Sequence, residues 1–379
     1  MTRHFAAAMR RATKLMRPAR ATRTVQKAMT GLVVKAMLSP LSAAKPKQAV
    51  RRSASIKTSG SLGSVVAQLG AGKALRAAAT RKAVPGKALP AIPSQAQYLL
   101  RSHRTAAGSR DYRLYLPASK PKGLVLMLHG CNQNPDDFAL GTRMNTHAEK
   151  NGLAIIYPAQ TTIDNMAACW NWFRPGNQGR GTGEPALLAS LTRKLMKEFG
   201  LGRGSVFVAG LSAGGAMAAI LADVYPDVYS AVGIHSGLAR GSARDVLSAM
   251  SAMRSGAAAG ATAAGATAAG GSTKAPLARR IVFQGDNDST VHPSNAATIV
   301  AGALGDQAQP SRVTQRSVRG RGYTRSDFSG PDGTVQLELW MLKGAGHAWS
   351  GGRAAGSYTD VSGPDASAQM IRFFLAPAA

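Results

Sequence analysis

The sequence predicts an α/β fold built on a mostly parallel central sheet with helices on both of its faces. Three observations point there. From residue 97 onward, short apolar runs suited to strands alternate with longer runs suited to helices. Some strand-like runs are apolar without interruption, as in Gly123-Leu124-Val125-Leu126-Met127-Leu128, which is the pattern of a strand buried on both faces. One such run also turns directly into a helix of small residues through the glycine-rich sequence Gly210-Leu211-Ser212-Ala213-Gly214.

In chain order, residues 97–105 and 110–117 alternate like strands, and 123–128 reads as a buried one. A helix is predicted over 138–151 and a strand over 153–157. Residues 185–199 form a helix with a Leu/Met face. A strand over 205–209, a helix over 213–224 and a strand over 229–234 follow. Residues 255–272 are an Ala/Gly/Thr tract and read as a flexible surface insertion. Beyond it come a strand at 281–284, a helix near 294–304, a strand-rich and Arg-rich excursion over 311–330, a strand at 335–342 and a closing helix at 366–375.

The N-terminal part is of another kind. Of the 47 Lys and Arg in the chain, 22 lie in residues 1–110, where there is no Asp or Glu; the rest of the chain carries 25 basic against 18 acidic groups. Residues 1–95 are rich in Ala, Lys, Arg, Ser and Gly and cannot build a good core, so they read as a largely disordered basic extension to a domain spanning 96–379. Within the extension, Val25, Met29, Leu32, Val33, Ala36 and Met37 recur at helical spacing and end before Pro40, predicting one short amphipathic helix. Such a charge favours an anionic surface, a polymer granule or nucleic acid as partner. No compact apolar segment follows the basic start, and Arg10-Arg11 is followed by sequence too charged for an export signal. No apolar run reaches the roughly 18–20 residues of a bilayer-spanning helix.

The chemistry is concentrated around Ser212. A G-x-S-x-G turn between strand and helix is the nucleophile elbow of the α/β-hydrolase fold, where the sharp turn lifts the serine hydroxyl clear of the sheet. A serine hydroxyl is a weak nucleophile and needs a base. In this fold the acid and then the histidine follow the serine in the chain. Downstream of Ser212 stand His235, His292 and His347. His347 lies in a glycine-rich loop just after an apolar strand, where a catalytic imidazole would be held. His235 ends its own strand and reads as structural. His292 is too near the acidic candidates to come from a separate loop. The acid comes from Asp286-Asn287-Asp288, just after the strand at 281–284, and spacing alone does not choose between the two carboxylates.

Five blocks, in the order His129-Gly130-Cys131 with Gln133, Tyr157-Pro158, Cys169-Trp170-Asn171-Trp172-Phe173, Gly210–Met217 and Gly346-His347-Ala348-Trp349, resemble the poly(3-hydroxybutyrate) depolymerase-like esterases, relatives of feruloyl and acetylxylan esterases. The resemblance covers about residues 97–379. It implies a serine carboxylic-ester hydrolase with Ser212, Asp288 and His347 as its triad. It also implies the Cys131 and Ala213 N–H groups as oxyanion donors, a Cys131–Cys169 disulfide, and Trp170, Trp172 and Trp349 as walls of the acyl cleft. No cofactor and no metal are implied. The expected substrate is a hydroxyalkanoate ester or oligomer, with a feruloyl or acetyl ester on polysaccharide as the alternative. A granule-binding or nucleic-acid-binding protein is a further reading, resting on the basic extension alone. A disulfide suits an extracellular or periplasmic location; the lack of a legible export signal leaves the cytoplasm as the alternative.

Overall fold

The computed structural model describes residues 89–256, 276–305 and 308–377. The readings of residues 1–88, including the helix at 25–37, and of nearly all the 255–272 tract fall outside these residues.

The centre of the fold is a ten-stranded sheet. The strands in chain order are β1 (Gln97–Thr105), β2 (Gly108–Leu116), β3 (Gly123–Leu128), β4 (Leu153–Pro158), β5 (Val206–Leu211), β6 (Ala231–His235), β7 (Arg279–Gly285), β8 (Arg312–Val318), β9 (Arg321–Ser329) and β10 (Val335–Leu342). Their spatial order is β1-β2-β4-β3-β5-β6-β7-β10-β9-β8. The six strands from β4 to β10 in that order run parallel. The β1–β2 hairpin closes one edge antiparallel and the β9–β8 hairpin the other. The Arg-rich stretch 311–330 is therefore this second hairpin. Its outer strand is largely exposed and bears Arg312 and Arg316, charges that discourage edge-to-edge pairing.

The uninterrupted apolar runs build two cores, one on each face of the sheet. Leu124, Leu126 and Leu128 of β3 and Val206 and Val208 of β5 point to one side. There they meet α3 (Gly183–Phe199) and α4 (Ala213–Val224) through Leu188, Leu191, Leu195, Met217 and Ile220. Val125 and Met127 of β3 and Phe207 and Ala209 of β5 point to the other side, against Phe138, Met144, Met370, Phe373 and Phe374. Those last residues belong to α1 (Pro135–Thr142), α2 (Met144–Asn151) and α7 (Ala366–Leu375). Burying each such side chain stabilises by roughly 1.5–3 kcal/mol before the entropy of ordering is counted. Helices α5 (Val246–Ser255) and α6 (Ser294–Leu304) are the remaining α-helices among the described residues.

The sequence predicts one helix over 138–151, and the structure has two. Asn134 caps α1 by accepting from the Asp137 N–H, and Pro135 opens it. Arg143 then adopts a left-handed conformation (φ 55°, ψ 23°) that ends α1 and starts α2. Its side chain forms an ion pair with Asp365 and donates to the Gly351 carbonyl, so tertiary partners hold the break.

Candidate active site

The C-terminal ends of the parallel strands carry the chemistry-bearing residues, which is where an open α/β sheet leaves its crevice. At the end of β5 the chain turns abruptly into α4. Ser212 takes φ 56° and ψ −120°, a conformation that costs a non-glycine residue on the order of 1–3 kcal/mol. Two features hold it there. The Ser212 N–H donates to the His235 carbonyl at 2.9 Å. A Cβ on Gly214 would be driven into the Leu128 and His129 carbonyls, and one on Gly210 into the Gly214 peptide, so only glycine lets the elbow close against β3.

Asp288 lies in the turn after β7 and is buried. Its Oδ1 accepts from the Thr290 and Val291 N–H groups, both at 2.9 Å. Its Oδ2 accepts from Gln284 Nε2 at 3.2 Å and from His347 Nδ1 at 2.8 Å. Burial by itself would raise the pKa of this carboxylate, but the charge and hydrogen bond of His347 and the two backbone N–H groups outweigh it and hold the pKa below the usual range. Asp286 is exposed and plays a different part. Its Oδ1 accepts from the Gly344 N–H at 2.6 Å, stitching the acid loop to the histidine loop. The Asn287 N–H donates to the Ala345 carbonyl at 3.1 Å in the same seam. The two aspartates, equivalent by spacing, are thus in different positions, and Asp288 is the one beside the imidazole.

His235 is fully buried and lies between the rings of Phe283 and Trp349. Its Nε2 accepts from the Ser350 N–H at 3.1 Å, so Nδ1 carries the proton and faces Ser236 Oγ. Burial first, and then the neighbouring His347, push its pKa down to about 3, so it stays neutral. Through its carbonyl and its ring it joins the serine elbow to the segment that follows His347. His292 is exposed and bonds Ser294 Oγ at 2.8 Å. Among the described residues no hydrogen bond joins Ser212 Oγ to His347, a contact that commonly tightens only once substrate is bound.

On the other flank of Ser212 lies the loop after β3. Cys131 and Cys169 form a disulfide that ties this loop to the crossover after β4. The Asn132 N–H donates to the Ala167 carbonyl at 2.7 Å, and Gln133 Oε1 accepts from the Gly130 N–H at 2.9 Å. A Cβ on Gly130 would sit 3.6 Å from Ser212 Cβ, so loop and elbow are in direct contact. Among the described residues neither the Cys131 nor the Ala213 N–H has a protein acceptor, which leaves both free to donate. Ala213 opens α4, so its N–H also lies at the positive end of the helix dipole.

The three tryptophans are not where a cleft wall would put them. Trp170, Trp172 and Trp349 are 0, 1 and 1 % exposed. Trp170 Nε1 donates to the His129 carbonyl at 3.1 Å, and Trp349 Nε1 to Ser367 Oγ at 3.1 Å. Trp172 meets Phe173 edge to face. Burial, together with the hydrogen-bonded N–H groups of Trp170 and Trp349, makes them packing residues that back the loops from behind. Gln160 and Glu184, which no sequence pattern singles out, are buried under the same loops. An acidic residue in the first turn of a helix ordinarily reads as a solvated dipole partner, so nothing in the pattern marks Glu184.

The family model described as esterase PHB depolymerase matches residues 110–320, more than half of the chain. Poly(3-hydroxyalkanoate) depolymerase C of Paucimonas lemoignei is 29% identical over 240 residues, covering 61% of this chain and 56% of that protein. Poly(3-hydroxybutyrate) depolymerase of Ralstonia pickettii is also 29% identical, over 63% of this chain and 51% of that protein. The chain thus spans about half the length of these two relatives. Feruloyl esterase B of Neurospora crassa is 30% identical over 33% of this chain and 43% of its own. Among solved structures, the acetyl xylan esterase from Aspergillus awamori shares the fold with a TM-score of 0.55 at 20% identity, over 66% of this chain and 93% of that one.

Proposed function

Because the chain belongs to the esterase PHB depolymerase family, we propose that it is a serine carboxylic-ester hydrolase with residues 96–379 as its catalytic domain. In this reading Ser212 is the nucleophile, His347 the general base and Asp288 the residue that orients it. What carries it is the combination of a serine held in a strained elbow after β5, an imidazole–carboxylate pair at 2.8 Å between the loops after β10 and β7, and the Cys131 and Ala213 N–H groups that have no protein acceptor among the described residues.

The steps follow from the hydrogen bonds. Asp288 Oδ2 is an acceptor, so His347 carries its proton on Nδ1 and presents the Nε2 lone pair. Nε2 takes the hydroxyl proton as Ser212 Oγ attacks the ester carbonyl. The carbonyl oxygen becomes an oxyanion, and the Cys131 and Ala213 N–H groups stabilise it, each by about 3–4 kcal/mol of barrier. Collapse expels the alcohol, which receives the proton from His347. Water, deprotonated by the same imidazole, then hydrolyses the acyl-enzyme.

The substrate class we propose is a short-chain hydroxyalkanoate ester or its oligomers, supported by the two depolymerases that align with about 60% of this chain at 29% identity. A feruloyl or acetyl ester of polysaccharide is the second reading, favoured by the match to a feruloyl esterase over a third of the chain. The disulfide supports an extracellular or periplasmic location. Contact of residues 1–95 with a granule or other anionic surface is proposed from their charge alone. A panel of hydroxybutyrate oligomers, methyl ferulate, acetylated xylan and p-nitrophenyl esters of graded length tests the substrate reading. Highest kcat/KM on the hydroxybutyrate oligomers supports the first class, and preference for methyl ferulate or acetylated xylan moves the protein to the second.

A further inference from the structure

A buried carboxylate that the mechanism above does not use lies at the base of the oxyanion loop. Glu184 stands in the first turn of α3. Its Oε2 accepts from the Asn171 N–H at 2.8 Å. Its Oε1 accepts from Asn171 Nδ2 at 3.0 Å, from Gln160 Nε2 and from Arg110 Nη2 at 3.5 Å. Every one of these partners is a donor, the pattern that a carboxylate satisfies and an amide cannot.

From Gln160 the connection runs to the active site. Its side chain is held by Glu184 and also donates to the Cys169 carbonyl at 3.0 Å, beside the disulfide. Its backbone N–H donates to His129 Nε2 at 3.1 Å. That nitrogen is therefore the acceptor, and Nδ1 carries the proton, which it gives to the Gly130 carbonyl at 2.8 Å. His129 is buried and its pKa is lowered to about 4, so this neutral tautomer persists. The Gly130 carbonyl and the Cys131 N–H belong to one planar trans peptide and point in opposite directions. Anchoring the oxygen on His129 therefore aims the N–H away from His129.

We infer that Glu184 is a positioning residue for catalysis, fixing the Gly130–Cys131 peptide through Gln160 and His129 so that the Cys131 N–H meets the oxyanion. The inference rests on the oxyanion role proposed for Cys131. Its test is Glu184→Gln in the full chain, which keeps the shape but turns an N–H against at least one donor. With p-nitrophenyl butyrate, kcat should fall about 10- to 100-fold, less than the loss of a whole donor, while KM changes less than about 3-fold. Inhibition by a trifluoromethyl ketone, which forms a tetrahedral adduct on serine, should weaken by the same factor as kcat. Unchanged kcat and unchanged ketone affinity in folded E184Q overturn the inference, even if thermal stability drops. If E184Q does not fold, Gln160→Met, which removes the link from Glu184 and leaves the backbone N–H, takes its place. A loss in kcat alone supports the inference, and wild-type kcat overturns it. Ser212→Ala run in parallel separates the two claims: activity in that variant defeats the esterase reading itself, whatever E184Q does.

Discussion

Replacing Asp288 by asparagine tests the electrostatic half of the proposed site. The carboxylate accepts four hydrogen bonds, two on each oxygen. In asparagine one oxygen becomes an NH2 group. The Thr290 and Val291 N–H groups are fixed in the backbone and require an acceptor at the Oδ1 position. The NH2 therefore falls at Oδ2, facing His347 Nδ1. The imidazole must then present a lone pair at Nδ1 and carry its proton on Nε2, the tautomer that cannot accept a proton from Ser212. The same substitution in a Ser-His-Asp triad lowers kcat by about 10⁴, equivalent to about 5.5 kcal/mol of barrier. Steady-state hydrolysis of p-nitrophenyl butyrate by D288N should show that loss with KM little changed. D286N, which only weakens the bond to the Gly344 N–H, should retain turnover within about tenfold and lose some stability. A D288N variant within tenfold of wild type, or the large loss appearing in D286N instead, would refute the reasoning.

Two further outcomes follow from the same contacts. Reduction of the Cys131–Cys169 bond opens a 38-residue link worth roughly 4 kcal/mol in the chain-entropy account, so Tm measured by calorimetry with and without reductant should drop by about 7 °C; an unchanged Tm after verified reduction contradicts this. The folded-state pKa of Asp288 lies below its unfolded value, so its contribution is fully present above about pH 4 and is lost as pH falls through the folded value. Urea midpoints taken from pH 7 down to pH 3 should therefore fall less steeply on the acid side for D288N than for wild type, and parallel acid limbs would exclude that linkage.

The central sheet was legible because a strand buried on both faces must be apolar at every position, and runs such as Leu124–Leu128 can be little else. The serine elbow was legible because its geometry demands glycine at fixed offsets. Other features depend on contacts between distant segments. Arg143 breaks a helix whose local pattern is continuous, because Asp365 and the Gly351 carbonyl lie in reach of its side chain. Asp286 and Asp288 share the spacing that an acid requires, and only the course of the turn after β7 sends one to His347 and the other to Gly344. Indoles beside active-site loops suggest a ligand wall, yet packing against His129, Phe173 and His235 consumes their surface. Glu184 draws its partners from positions 110, 160 and 171, which no periodicity relates.

Identification of the residue that becomes acylated tests the account most directly. Full-length protein treated with a fluorophosphonate and digested for mass spectrometry should carry the label on Ser212 and on no other residue, with esterase turnover lost in proportion to labelling. Ser212→Ala, shown by circular dichroism to be folded, should neither label nor turn over p-nitrophenyl butyrate above about 10⁻³ of the wild-type rate. Label on another serine, or an alanine variant that hydrolyses esters at the wild-type rate, would contradict the assignment of Ser212 and the mechanism built on it.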